Sequence, residues 1–462
     1  MIRKNDLIRL SVSDLNNRGC GVGHLTGTGE NDGMTVFVQG AVTGDEVEAR
    51  VIKVTRGYLV ARLETVLAPS PYRAEDGCPA ARGCGGCVFR NVTYEHELDR
   101  KRGYVEAAFR KAGLADVAVE PVRTTGQTAG YRNKAQYPVA VGRDGKMTAG
   151  FFAAETHRVV PAEHCALQPP VFGDILRHVC RFCDENGIPA YEETTGRGLL
   201  RHIYLRMGAA TGEITVCLVV NGDRLPGEGD LAAGLCKAFP GVVGVLLNEN
   251  RENTNVVLGE RYRLLAGRPY LEDVLCGLTF RVTPQSFYQV NRGACELLYG
   301  IAKERAALTG GELLLDLYCG IGTIGLTMAD RAGEVMGMEI VPEAVECAKE
   351  NARRNGIANA TFACGDASDP KGLLKKAAEA RGDLTGAVVI LDPPRKGTTR
   401  ELIEGIAEAG IRRVVYVSCN PDTLARDCAV FRENGYGIGT VTPVDLFPRT
   451  GHVESVVLLS RN

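Results

Sequence analysis

The sequence predicts an α/β protein in which a doubly wound parallel sheet follows a small OB-like β-barrel and a mixed α+β region. Two observations support this fold class. From residue 286 onward, apolar runs alternate with helical stretches, as in a parallel sheet covered by helices. Residues 1–66 instead contain short alternating segments broken by glycines, without helical periodicity. Since 462 residues suggest two or three domains, we expect domains at 1–66, 67–285 and 286–462.

The composition, 45% hydrophobic and 24% charged, is that of an ordinary soluble globular protein. No apolar run is long enough to cross a bilayer, and the N-terminal residues lack the apolar core of a secretory signal. We therefore expect a cytoplasmic monomer whose 16 cysteines are reduced. A net charge of −2 is not the basic footprint typical of nucleic-acid binding, so any RNA contact must use local basic residues.

The first region, 1–66, contains about five predicted strands, enough for a small closed barrel of OB-like size. The segments that alternate in strand fashion include MTVFVQG, DEVEARVIKV and GYLVARLETVL. Barrels of this size often bind oligonucleotides on one face. They also serve as purely structural modules, and these residues leave both interpretations open.

The second region, 67–285, joins a cysteine cluster to a helix and a set of strands. The cluster, Cys78-x5-Cys84-x2-Cys87, is compact and rich in glycine. With a fourth ligand it would suit either zinc or an iron–sulfur cluster, and its C-x2-C pair leans towards zinc. A helix is predicted at 93–114, with its basic residues on a solvated face. These residues are Arg100, Lys101, Arg102, Arg110 and Lys111.

The third region carries polar residues at strand ends, the edge where ligands bind in doubly wound sheets. Its first strand ends at Asp316, and residues 320–325 form a Gly-x-Gly-x-x-Gly loop that also matches NAD-binding proteins. Asp316 suits the cationic amino-acid end of S-adenosylmethionine, and Glu339 at the next strand end suits ribose hydroxyls. A later strand ends in Asp-Pro-Pro-Arg at 392–395, for which a dehydrogenase has no evident use. We therefore favour S-adenosylmethionine over NAD, with Asp366 either bordering the adenine or forming a turn.

Two further strand-end residues fit methylation of a pyrimidine carbon. A thiolate from Cys419 added at uracil C6 would make C5 nucleophilic, and Glu454 would then remove the C5 proton. Each residue has a simpler interpretation, because Cys419 could be a packing thiol and Glu454 a surface residue at a strand start. His452 is the second choice for the base.

The motifs D-L-Y-C-G-I-G, D-P-P-R, S-C-N-P and H-V-E, in this order, resemble those of the RNA uracil-5-methyltransferase family. The resemblance implies a Rossmann-like domain that uses S-adenosylmethionine, with Cys419 as nucleophile and Glu454 as general base. Arg395 agrees, because enzymes that methylate exocyclic amines often have an aromatic residue there. Ser286–Asn291 is similar to the family's Phe–Gln–Asn element. The cofactor contacts expected in all are Gln289, Asp316, Tyr318, Gly320, Gly322, Glu339, Asp366 and Asp392.

The cysteines and the barrel resemble the ribosomal branch of that family. That branch implies an N-terminal TRAM barrel, a [4Fe–4S] cluster and 23S rRNA as substrate, with the uridine looped or single-stranded. It also implies that helix 93–114 packs on the catalytic domain. The implied cluster ligands are Cys78, Cys84, Cys87 and Cys165. Arg132 and Lys134 are expected to contact RNA.

Two alternatives stay open at this stage. A uracil-5-methyltransferase of this type could act on tRNA or on more than one rRNA site. A non-catalytic RNA-binding iron–sulfur protein is the alternative of another class, although the intact Cys419 and Glu454 argue against it. Radical methylthiotransferases are disfavoured because their cysteines follow C-x3-C-x2-C and their barrel is C-terminal.

Overall fold

The first strands of the chain close into a barrel in the order β1-β2-β3-β5-β4, which confirms the predicted barrel. This computed structural model describes residues 2–27, 32–75, 77–80, 83–367, 369 and 371–462. Buried and exposed residues alternate along the strands, because one face of each strand lines the barrel core. The strands are β1 (Leu7–Leu15), β2 (Cys20–His24), β3 (Thr35–Gln39), β4 (Glu46–Val54) and β5 (Tyr58–Ala68).

A mixed sheet forms the centre of the chain, in the order β12-β11-β10-β9-β6-β7-β8. Two helices cover one face of it and bury a core of aliphatic side chains. The opposite face carries polar side chains, among them Lys134 and Arg206, because consecutive strand residues point to opposite sides. The elements are β6 (Lys134–Val141), β7 (Met147–Phe152), β8 (Val159–Pro161), α2 (Pro170–Glu185), β9 (Leu200–Met207), β10 (Ile214–Val220), α3 (Glu228–Ala238), β11 (Val242–Glu249) and β12 (Arg261–Gly267).

The C-terminal sheet has the order β17-β16-β15-β18-β19-β22-β20, with β21 also paired to β22. Strands β15 to β19 are parallel, whereas β22 is antiparallel to β19. Strand order reverses between β15 and β18, which is where ligands bind in such sheets. The elements are α4 (Arg292–Ala306), β15 (Leu313–Leu317), α5 (Thr323–Met328), β16 (Glu334–Glu339), α6 (Pro342–Arg354), β17 (Ala360–Cys364), α7 (Lys371–Arg381), β18 (Val388–Leu391), α8 (Arg400–Glu408), β19 (Arg413–Ser418), α9 (Pro421–Glu433), β20 (Gly437–Ile438), β21 (Thr442–Val444) and β22 (Glu454–Ser460).

Helix α1 (Tyr94–Lys111) packs on α9, and its Val105 and Phe109 belong to the hydrophobic core of the C-terminal sheet. The prediction that its basic residues form a solvated face is wrong for Lys101, which is 2% exposed. The Lys101 Nζ atom donates to Glu97 Oε1 at 2.8 Å and to Asp445 Oδ1 at 2.7 Å. Periodicity missed this ion pair because the partner carboxylate of Asp445 comes from far along the chain.

A short hairpin, β13 (Leu271–Leu275) and β14 (Leu278–Val282), also contributes to the C-terminal core. Backbone amides of β14 donate to Asn351 of α6 and to Asn355 just after it, which fixes the hairpin against that helix. The hydrophobic core of the C-terminal sheet therefore includes residues that precede position 286. Among the described residues, no helix is long and apolar enough to span a membrane.

Candidate active site

Asp316 lies at the end of β15 with its carboxylate enclosed by the glycine loop. The backbone N–H of Gly325 donates to its Oδ2 at 2.8 Å, whereas Oδ1 has no hydrogen-bond partner. A Cβ at Gly325 would come within 2.7 Å of that Oδ2, so the loop needs glycine there. Burial raises the pKa of Asp316 to about 7, and the neighbouring Asp392 and Glu339 add to the effect. A buried acceptor without a donor fits the cationic ammonium group of S-adenosylmethionine.

Glu339, at the end of β16, holds the glycine loop in place. Its Oε2 accepts from the Gly320 N–H and its Oε1 from the Val341 N–H, both at 3.0 Å. Each oxygen keeps a free lone pair that can accept from a ribose hydroxyl. The next side chain, Ile340, is 61% exposed, an apolar surface beside the loop.

Tyr318 and Gly322 shape the same loop through left-handed backbone conformations, with φ of 68° and 82°. The Tyr318 hydroxyl lies 3.2 Å from Thr398 Oγ1, which links the glycine loop to the segment after the Asp-Pro-Pro turn. Asp366 is exposed just after β17, the strand beside β16. The structure thus brings the predicted cofactor residues of four strand ends to one edge of the sheet.

Asp392, Cys419 and Glu454 meet at this edge. Cys419 directly follows β19, and Ser418 of β19 pairs with Ser455 of β22, so Glu454 lies beside the thiol. Burial raises the pKa of Cys419 to about 11, with further contributions from Glu454 and Asp392. Burial also raises the pKa of Glu454 to about 8, which Asp392 reinforces, and that of Asp392 to about 7. Both acids therefore titrate near neutral pH, a range suited to proton transfer.

Arg395 is the cation that opposes this accumulation of acids. Its charge lowers the pKa of both Cys419 and Glu454. Its carbonyl accepts from Asn420 Nδ2 at 3.1 Å and from Thr423 Oγ1 at 3.3 Å. These bonds tie the Asp-Pro-Pro-Arg turn to the residues that follow the thiol. Sequence reasoning did not assign a role to Asn420, although it stands in the S-C-N-P motif.

The Ser286–Asn291 segment is tied both to the central sheet and to the loop before β22. Asn133 Nδ2 donates to the carbonyl of Gln289 at 3.1 Å, which ties this segment to the central sheet. Asn291 caps α4 by accepting from the Ala294 N–H, and its Nδ2 donates to the carbonyl of Leu446. Gln289 itself is buried, at 7% exposure.

A cavity of about 940 Å³ runs from the cysteine cluster to the edge of the catalytic site. Burial raises the pKa of Cys87 to about 12, and three neighbouring thiols add to the effect. The described residues contain no group of three or more Cys, His, Asp or Glu side chains already arranged to hold a metal ion. The chemistry of four thiols on one cavity nevertheless fits a thiolate-ligated cluster. The residues of interest on its wall are Cys78, Cys84, Cys87, Cys165, Arg132, Arg395 and His452.

His452 is less suited than Glu454 to act as the base. Burial lowers its pKa, and the cations Arg395, Lys101 and Arg132 lower it further. A neutral imidazole among three cations is a weak proton acceptor. The structure places it on the wall of the cysteine cavity, a lining to which Cys419 and Glu454 do not belong.

Comparisons with known proteins place these features in a family. Residues 260–462 match the tRNA (Uracil-5-)-methyltransferase family, and residues 4–63 match the TRAM domain. The chain is 40% identical to a protein of Halalkalibacterium halodurans described as an uncharacterized RNA methyltransferase, over 99% of this chain and 98% of that one. A Bacillus cereus protein of the same description is 38% identical over 100% and 98%.

Among solved structures, the chain resembles the Pyrococcus abyssi tRNA (uracil-54, C5)-methyltransferase in complex with S-adenosyl-L-homocysteine. The TM-score is 0.77 at 25% identity, covering 98% of this chain and 100% of that one. The predicted family resemblance and the predicted fold class are both confirmed. The C-terminal sheet therefore has the fold of an S-adenosylmethionine-dependent methyltransferase.

Proposed function

The chain belongs to the RNA uracil-5-methyltransferase family, and from this premise we propose that it methylates C5 of a uridine in 23S rRNA. The observation that carries the proposal is the convergence of Cys419, Asp392 and Glu454 at the sheet edge that also carries the glycine loop. A thiol, a buried carboxyl group and a cofactor loop are what methylation of a pyrimidine carbon requires.

In the proposed reaction, Cys419 releases its thiol proton to solvent and its Sγ then adds to C6 of the uracil, which gives C5 the character of an enolate carbon. S-adenosylmethionine, when bound, supplies the electrophilic methyl group and a positive charge beside the acids. Once C5 carries the methyl group, Glu454 takes the C5 proton. Cys419 then leaves C6 as a thiolate, which restores the C5–C6 double bond.

The cofactor is proposed to lie along the glycine loop. Asp316 Oδ1, which has no partner, would accept from the ammonium group, and Glu339 from the ribose hydroxyls. The exposed Ile340 offers an apolar surface to the adenine. The remaining proposed contacts are Gln289, Tyr318, Gly320, Gly322, Asp366 and Asp392.

The test is methyl transfer from labelled cofactor to unmodified transcripts of 23S rRNA and of tRNA. Wild type should label the rRNA, and Cys419→Ala should label neither RNA. Transcripts with 5-fluorouridine should form a covalent adduct with wild type only, because fluorine cannot leave as a proton does. A Cys419→Ala variant that still methylates would disprove the covalent mechanism.

A second candidate substrate is tRNA, favoured by the likeness over almost the whole chain to the Pyrococcus abyssi tRNA enzyme. The choice of 23S rRNA rests on the resemblance of the barrel and the cysteine quartet to the ribosomal branch. Labelling of the tRNA transcript alone would decide for the second candidate.

We also propose that Cys78, Cys84, Cys87 and Cys165 hold a [4Fe–4S] cluster. Two observations support this proposal: the four cysteines line one cavity, and the other three thiols lie close enough to Cys87 to raise its pKa. Methylation of C5 moves no net electrons, so the cluster would order the loop rather than react. Anaerobically purified protein should contain about four iron atoms per chain, and Cys87→Ser should lose them. Stoichiometric zinc in place of iron would contradict the proposal. The control is Cys183→Ser, which replaces a buried thiol in α2 and should leave the iron content unchanged.

A further inference from the structure

Three cations lie close together where β6 begins and β9 ends, in the middle of the central sheet, and we call them the cation cluster: Arg132, Lys134 and Arg206. Lys134 of β6 is paired directly with Arg206 of β9, and Arg132 precedes Lys134 by two residues. Within the described part of the chain, no carboxylate forms an ion pair with any of the three. The cluster is thus a local excess of positive charge on a protein whose net charge is −2.

Burial makes the charged forms of these side chains energetically unfavourable. Burial lowers the pKa of Lys134 to about 8, and the charges of Arg206 and Arg132 lower it further. Arg206 is 1% exposed and donates from one terminal nitrogen to the carbonyls of Thr283 and Ser286, both at 2.8 Å. Its Nε and its other terminal nitrogen have no partner. Buried cations are ordinarily paired, so unpaired donors here indicate a missing anion.

The position of the cluster relates it to the catalytic site. Arg206 holds the backbone just before Gln289, the residue expected to contact the cofactor. Arg132 lines the same cavity as Arg395 and acts on the pKa of His452. An anion bound by the cluster would therefore lie between the cysteine cavity and the Ser286–Asn291 segment.

Resting on the proposed function, we propose that Lys134, Arg132 and Arg206 bind one backbone phosphate of the RNA, next to the uridine to be methylated. Arginine and lysine are the side chains that bind phosphate, and such contacts fix the register of a nucleic acid without reading its sequence. A flipped or looped uridine needs this restraint because its base no longer stacks on its neighbours.

The first test compares Lys134→Gln with Lys134→Arg. Lys134→Gln should raise the KM for RNA by about tenfold or more, leave the KM for the cofactor unchanged, and lower the salt dependence of RNA binding by about 0.7 in log–log slope. Lys134→Arg should restore most of the affinity. The matched control is Lys237→Gln, which removes an exposed lysine from α3 on the opposite face of the same sheet.

The second test uses RNA with a single neutral methylphosphonate beside the methylated uridine, once that uridine has been mapped. The substitution should weaken binding to wild type by about tenfold and have little further effect on Lys134→Gln. Equal weakening of both proteins, or a Lys134→Gln variant with wild-type KM and salt slope, would overturn the phosphate site. If wild type itself methylated no RNA, the proposed function would fail instead, so the two failures are distinguishable.

Discussion

Glu454 is a carboxyl group that the fold keeps largely protonated near neutral pH. It is 3% exposed, and Asp392 lies close enough to add to the rise of its pKa to about 8. A base must be ionised to accept a proton, so the proposed reaction uses the form that dominates only above this pKa. The thiol of Cys419 loses its proton over a still higher range.

The value of kcat/KM should therefore rise with pH, by up to about tenfold per unit for each of the two groups below pH 8 and for Cys419 alone above it. Replacing Glu454 with Gln should lower turnover by about 10²- to 10⁴-fold and remove part of this rise. Rates measured between pH 6 and pH 9 at saturating cofactor check the expectation. A flat profile for wild type would contradict the role given to Glu454.

Arg395 should set the position of that profile. Because its charge lowers the pKa of Glu454 and Cys419, Arg395→Gln should move the rise of kcat/KM to higher pH. Arg395→Lys should keep most of the wild-type position, since it keeps the charge. An unshifted profile for Arg395→Gln would show that the arginine acts only through its backbone bonds to Asn420 and Thr423.

Stability should depend on the same carboxyl group with a definite sign. The folded pKa of Glu454 exceeds its ordinary value of 4.5, so the native state binds more protons between these values and loses stability as pH rises through about 8. Glu454→Gln removes this loss. Its Tm should fall less than that of wild type between pH 6 and pH 9, measured by thermal unfolding. Asp316 and Asp392 act with the same sign and remain, so the loss should shrink rather than vanish.

At the scale of elements, α1 and the 445–452 loop before β22 form one buried ionic unit. Lys101 joins Glu97 to Asp445 and also donates to the carbonyl of Phe447 at 3.1 Å. The N–H of Arg449 donates to Glu97 Oε1 at 2.7 Å. The loop that leads to Glu454 is thereby fixed by a helix more than 340 residues earlier in the chain.

Lys101→Met should destabilise the protein by about 3–5 kcal/mol, because two buried carboxylates lose their cation. Lys111→Met is the matched control, an exposed lysine in the last turn of the same helix, and should change stability by less than about 0.5 kcal/mol. Urea unfolding of both variants measures the difference. Equal effects would mean that the buried ion pair contributes nothing specific.

Sequence patterns predicted the parts of the site that depend on strand ends. Asp316, Glu339, Asp392 and Cys419 all follow apolar runs, and parallel strands bring such ends to one edge. Patterns missed Lys101 and Arg206, because a buried cation has no periodic signature and its partners come from distant segments. Arg206, the second arginine of the run RHIYLRM, was a local signal that one face of β9 is polar.

At the scale of the molecule, the barrel is seated directly on the 445–452 loop. A Cβ at Gly451 would lie 1.8 Å from the backbone oxygen of Asn17, and Arg100 of α1 pairs with Asp14 of the barrel. The carbonyl of Arg449 also accepts from the amides of Val88 and Phe89, beside the cysteine cluster. The 445–452 loop therefore contacts the barrel and the residues that follow Cys87, and it leads directly into β22.

Gly451→Ala should separate the barrel from this segment. We expect faster proteolysis between barrel and central sheet, near residues 67–71, and a higher KM for RNA with little change in the KM for the cofactor. Gly437→Ala is the control, because its added Cβ would meet its nearest neighbour at an ordinary 3.5 Å. Unchanged proteolysis of Gly451→Ala would show that the contact between the barrel and the 445–452 loop accommodates the added methyl group.

The position of the antiparallel strand β22 has a consequence for folding during synthesis of the chain. It lies between β19 and β20 and begins with Glu454, yet a ribosome makes it after every other strand described. A nascent chain that stops short of it can already fold its N-terminal barrel, since domains fold as units from the N-terminus. Its C-terminal sheet still lacks the core residues Val456, Val457 and Leu459 as well as Glu454. We therefore expect the cofactor domain and its proposed proton acceptor to be completed in one step, when β22 has left the ribosome.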